Sequence, residues 1–122
     1  MGDFERHRRL SGEKRTAALE EYERKRYTVV GDLAIKAVEQ AIEALASLEG
    51  LHFHISPRSA HANRVTWVKK KFPELSGYVV MLWGAYGMLG YEGVDGERAG
   101  KALEAMEAIL NGFEEKTGVR FK

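Results

Sequence analysis

Gly31-Asp32 is the first place in this 122-residue sequence where residue type and setting point to chemistry. The carboxylate follows a glycine and interrupts the apolar segment Tyr27 to Ile35. Both residues are poor helix formers, and a local rule broken inside an element marks a functional position. The plainer alternative is that Asp32 lies on a wet face and pairs with Lys36, which contributes about 0.2–0.5 kcal/mol. A second set of candidates is cationic. Arg58, Arg64, Lys69, Lys70 and Lys71, with Trp67 among them, have the composition of a surface that contacts phosphates. They equally suit a solvated helix face whose final cations complement the helix C-terminus. His61 shares the i, i+4, i+7, i+11 spacing of Val65, Val68 and Phe72, so it is expected to face inward as a core histidine. His52 and His54 form an H-x-H pair whose side chains point the same way on an extended stretch, a metal-binding arrangement only with a third ligand.

Composition bounds what such residues can belong to. The length suits one domain with a real core, and 44% hydrophobic content is that of a globular protein. Nineteen basic against eighteen acidic residues give a net charge of +1, so a nucleic-acid partner would have to be recognised by a local patch, not a global field. Having no cysteine, the chain has no disulfide framework, thiolate metal site or cysteine nucleophile. The start, MGDFERHRRL, is charged and lacks an apolar run, so no secretory signal is expected. The longest uncharged apolar stretch, Tyr78 to Tyr91, has 14 residues, short of the roughly 17 needed to span a bilayer. A soluble, cytoplasmic protein without a membrane partner is the expectation.

The elements that must position these residues read as helices throughout. Residues 1–10 look like a polar N-terminal arm, and 11–122 form a single all-α domain. Ser11 is a candidate N-cap, and the chain is helical from there with no proline until Pro57. Val30, Leu33, Ala37, Val38, Ala41, Ile42 and Leu45 recur at the spacing of one buried face. Asp32, Lys36, Glu39 and Glu43 occupy the opposite face, and Gly50 is a natural C-cap. Leu51 to Ser56 reads as an extended connector. Ser56-Pro57 opens a second helix, closed near Phe72 by Pro73. A third, from about Glu74 to Leu89, is apolar nearly all round, which places it at the centre of a compact helical bundle. Its Gly77, Gly84 and Gly87 suggest close approach of another backbone. A loop follows from Gly90 to Gly96, with Asp95 a cap for the last helix. There Ala99, Ala102, Leu103, Met106, Leu110 and Phe113 point inward as far as Gly118.

Three stretches carry a resemblance to a known family. Arg24-Lys25-Arg26-Tyr27-Thr28-Val29-Val30-Gly31-Asp32-Leu33-Ala34-Ile35 resembles the signature ERLEFLGDAVL of ribonuclease III. The Gly-Asp pair and its apolar neighbours fit, and Arg26 matches the family's arginine. The two signature glutamates fall on Lys25 and Thr28. Pro57, His61, Trp67, Val68 and Lys71 keep the spacing of a helix in the short, mini type of that family. Gly77 to Tyr86 looks like its second acidic helix, with Val79 or Val80 at the glutamate position.

The resemblance implies a ribonuclease III endonuclease-like fold, a homodimer, and an endonuclease role in RNA processing. It makes double-stranded RNA the partner and Mg²⁺ the cofactor. Asp32 takes the place of the metal-binding catalytic aspartate, and Arg58, Arg64, Lys69, Lys70 and Lys71 would contact RNA. Because Mg²⁺ is held by one or two carboxylates with ordered partners, further acids would have to come from Glu74, Glu92, Asp95 or Glu97. Each of these taken singly reads first as a surface or capping residue. The alternative is a non-catalytic, dimeric helical interaction module, dimerising through the glycine-rich third helix. A HEPN-type ribonuclease fits less well, since Arg58 precedes His61 by only three positions. No G-x-x-x-x-G-K, H-E-x-x-H or G-x-S-x-G is present.

Overall fold

The structure, a computed structural model, describes residues 2–92 and 96–122, the side chains of 85–92 excepted. Among the described residues five α-helices, α1 (Gly2–Glu23), α2 (Tyr27–Ser47), α3 (Pro57–Lys71), α4 (Ser76–Glu92) and α5 (Gly96–Thr117), build an all-α bundle around one core. Among the described residues no helix is long and apolar enough to cross a membrane.

The helical run expected from Ser11 to Gly50 is two helices folded against each other. The break falls at Arg24-Lys25-Arg26, where the Arg26 N–H donates to Glu21 O and the Lys25 N–H to Tyr22 O. That pairing is a Schellman C-cap, with Lys25 at φ 61° in the left-handed position that usually takes glycine. The two helices run antiparallel, His7 opposite Gln40 and Ser11 opposite Ala37. Residues 2–10, expected as an arm, are therefore the first turns of α1. Ser11 is no cap: it is fully buried in mid-helix and its Oγ donates to Ala37 O at 2.7 Å. The inward stripe of α1 is His7, Ser11, Gly12, Arg15 and Ala18. These small or polar residues let α1 lie close to the rest of the chain.

The central element is α2, which packs on α1, α3, α4 and α5. Its expected apolar face is buried apart from half-buried Leu33. A second Schellman cap ends it, with Gly50 at φ 77° and Leu51 N–H donating to Ala46 O. The connector is not extended: Phe53–Ile55 form a 3₁₀ turn. Pro57 starts α3 at its first-turn position and Phe72 leaves the helix before Pro73.

The central position expected for α4 is corrected by exposure. Val80 is 63% and Tyr78 36% exposed, while Val79 and Leu82 are buried. One face of α4 thus meets α2 and α5 and the other is outside. Gly77 and Gly84 face open space, with nothing within 4 Å of an added Cβ. The helical backbone of α4 continues through Gly90 to Glu92, and Asp95, the expected cap of the last helix, lies outside the described residues.

The expected inward stripe of α5 is buried in full and the helix ends before Gly118 at φ 79°. The tail then folds back. Phe121 is fully buried against Phe113, ring centroids 6.2 Å apart. Arg15 donates from Nη1 to Phe121 O at 2.9 Å and pairs with Glu107. Lys122 lies so close to Gly12 that a Cβ there would collide with its backbone.

Candidate functional site

Asp32 is exposed on α2. Lys36, its expected partner, instead donates to Glu39 at 3.2 Å, and no hydrogen bond or ion pair engages Asp32 among the described residues. The acids considered as its companions are elsewhere or engaged. Glu74 faces Lys116 at 3.8 Å and Glu97 faces Lys101 at 3.9 Å. The side chain of Glu92 and the whole of Asp95 lie outside the described residues.

The basic set of α3 divides. Arg58, Lys69 and Lys70 are exposed. Lys71 is bound to Glu49 Oε2 at 2.8 Å, and the same carboxylate accepts from Trp67 Nε1 at 3.2 Å. Arg64 turns inward, its side chain 13% exposed. The inner stripe is Ala60, Arg64, Trp67 and Val68: of the expected line, Val68 and Phe72 are buried, Val65 is partly buried and His61 is outside. His61 is consequently an exposed histidine whose ring rests against Trp83, centroids 5.1 Å apart. Trp67, grouped with the cationic surface from sequence, is buried.

What Arg64 turns towards is the polar centre of the molecule. Glu43, expected on the wet face of α2, is 1% exposed. Its Oε2 accepts from Arg64 Nε at 2.7 Å. Its Oε1 faces His54 Nδ1 at 2.9 Å and the His54 backbone N–H at 3.3 Å. Glu39, one turn back, adds a second carboxylate 3.5 Å from Arg64 Nη1. Because a carboxylate only accepts, His54 Nδ1 carries the proton. Burial by itself pushes the Glu43 carboxyl up. The hydrogen bonds from His54 and Arg64, the Arg64 charge and the backbone N–H outweigh burial and hold it below the ordinary carboxylate range.

The first helix completes the group. His7, only 4% exposed, has Nδ1 2.6 Å from Gln40 Oε1, and its ring meets that of His54 edge-on with centroids 5.0 Å apart. With Nδ1–H donating to the amide oxygen, Nε2 holds a lone pair. That atom is buried without a partner. His7, Glu43 and His54 each offer one ligand atom, and these atoms lie within 4.8 Å of one another. It is the one such trio among the described residues, and Asp32 is outside it. His52 does not join His54 but turns to Asp3 at 3.4 Å.

Sequence reading found His54 of this trio, within the H-x-H pair, and missed Glu43 and His7. A signal was present for Glu43, which sits alone among Ala41, Ile42, Ala44, Leu45 and Ala46. None was present for His7, in a segment with no apolar period. Compared with known proteins, the chain matches no family model, no curated relative and no solved structure.

Proposed function

We propose that this chain works as a homodimeric helical interaction module, self-associating through the outer face of α4. The observation that carries the reading is that face itself: Tyr78 and Val80 stand exposed on a helix without a charged residue from Ser76 to Tyr91. A second copy is the occupant that suits it. An uncharged surface gives a charged partner nothing to pair with, and the net charge of +1 sets up little repulsion between copies. Gly77 and Gly84, one heptad apart with open space at their Cβ positions, each cost about 1 kcal/mol of helix propensity. That cost is offset where an identical helix crosses closely about a two-fold axis. Light scattering tests the reading. The parent is expected at twice the chain mass of 13.7 kDa at micromolar concentration, and Val80→Lys and Gly84→Leu at the single mass. A monomeric parent overturns it.

A second reading has its own support: a ribonuclease III-like protein that binds double-stranded RNA. Exposed Arg58, Lys69 and Lys70 on α3 favour it, as does Asp32, open to solvent where the resemblance expects a Mg²⁺ ligand. Replacing the three cations by Ala should then weaken duplex-RNA binding across all sequences and flatten its salt dependence. Asp32→Asn should abolish Mg²⁺-dependent cleavage. Unchanged affinity, slope and cleavage in these variants would dismiss it.

A further inference from the structure

We infer that His7, Glu43 and His54 form a binding site for one divalent transition-metal ion of the zinc class. The trio supplies two imidazoles and one carboxylate, a ligand set that zinc takes with a fourth position left open. Its ligand atoms already lie within 4.8 Å of one another, and closing around an ion at about 2.0–2.2 Å per ligand needs only small side-chain movement. The independent observation is His7 Nε2. A buried imidazole nitrogen with a free lone pair and no partner among the described residues is costly unless something fills its acceptor role.

The surroundings are those of a held ligand set. Gln40 fixes the other nitrogen of His7, Arg64 occupies Oε2 of Glu43, and the ion would replace the His54 Nδ1 proton that Oε1 accepts, that proton leaving to solvent. Outer partners of this kind set tautomer and orientation at metal sites. Arg64 brings a positive charge, but Glu39 and Glu43 both engage it. The further charged or titratable neighbours are Lys36 on Glu39 and His52, whose ring lies 6.1 Å from that of His54 and which is paired to Asp3. The ligands come from α1, α2 and the 3₁₀ turn, so a bound ion would clip three separate segments. His54, its side chain 33% exposed, leaves a path to solvent. Soft-to-borderline nitrogen donors favour Zn²⁺ and Co²⁺ over Mg²⁺.

The test uses the untagged full chain, stripped with chelator and titrated with Zn²⁺ by calorimetry and with Co²⁺ by absorption spectroscopy. One ion per chain is expected, with the intense visible bands of four-coordinate cobalt. His7→Gln and His54→Gln should each weaken binding at least tenfold, while His52→Gln and His61→Gln should leave it alone. His54→Gln alters a partly exposed side chain outside the helices, so it decides the matter if His7→Gln does not fold. No saturable binding by the parent overturns the proposal. So does binding that His54→Gln leaves undiminished, or that His52→Gln or His61→Gln abolishes.

Discussion

A single buried carboxylate shows how far residue type alone can mislead. Glu43 is placed by period on the wet face of α2, yet it is buried and accepts hydrogen bonds from Arg64 and His54. Removing it would strand Arg64, whose side chain is only 13% exposed. Glu43→Ala should therefore cost about 3 kcal/mol in chemical denaturation. A loss under about 0.5 kcal/mol would mean that the pair is only incidental. The pH dependence follows from the lowered carboxyl. Its stabilisation is complete above the ordinary carboxylate pKa of 4.5 and is lost as pH falls through the lower folded value. Glu43→Gln should accordingly flatten the stability curve below pH 4.5, and an acid limb as steep as the parent's would contradict the assignment. Of the trio, His54 was legible because an H-x-H pair stands out in a sequence, while His7 lies in a segment with no apolar period. The carboxylate that unites them looks like any other helix-surface glutamate until α3 is placed.

The same limit acts on whole elements. α2 and α5 were legible because alanine, valine, leucine and isoleucine carry their periods, and Gly50 and Gly118 mark their ends at positive φ. α1 was legible as a helix only from Ser11, and its inward face was not, since its buried stripe of His7, Ser11, Gly12 and Arg15 is polar or small. Its packing comes from close approach and specific hydrogen bonds, which hydrophobic periodicity does not register. The turn between α1 and α2 was hidden for a related reason: Lys25 sits where glycine would have announced a break. Holding a residue with a Cβ in that conformation costs about 1 kcal/mol. Lys25→Gly should then raise stability by about 0.5–1 kcal/mol, less the extra entropy glycine gives the unfolded chain. A destabilised variant would show that the Lys25 side chain has a role beyond the turn.

At the scale of the molecule, the bundle is tied together at its tail and carries exposed apolar side chains on α4 and around the connector from α2 to α3. The tail covers α1 at Gly12, Arg15 ties α1 to α5 and the tail, and the Phe72–Phe113–Phe121 series fills the core. Among the described residues, α4 presents an uncharged helix face with exposed Tyr78 and Val80 and open glycines. The apolar character of α4 was plain from sequence, but its direction was not. A helix apolar on all sides reads as central when only one chain is considered, and equally as an outer helix when a second copy covers it. The lack of cysteine makes the decisive measurement clean. A single cysteine at Gly84→Cys should form a disulfide-linked dimer under mild oxidation, since two-fold crossing brings the same position of both copies together. Lys69→Cys on exposed α3 should stay monomeric on a denaturing gel. Equal cross-linking at both positions, or none at 84 in a protein otherwise folded, would contradict assembly through α4.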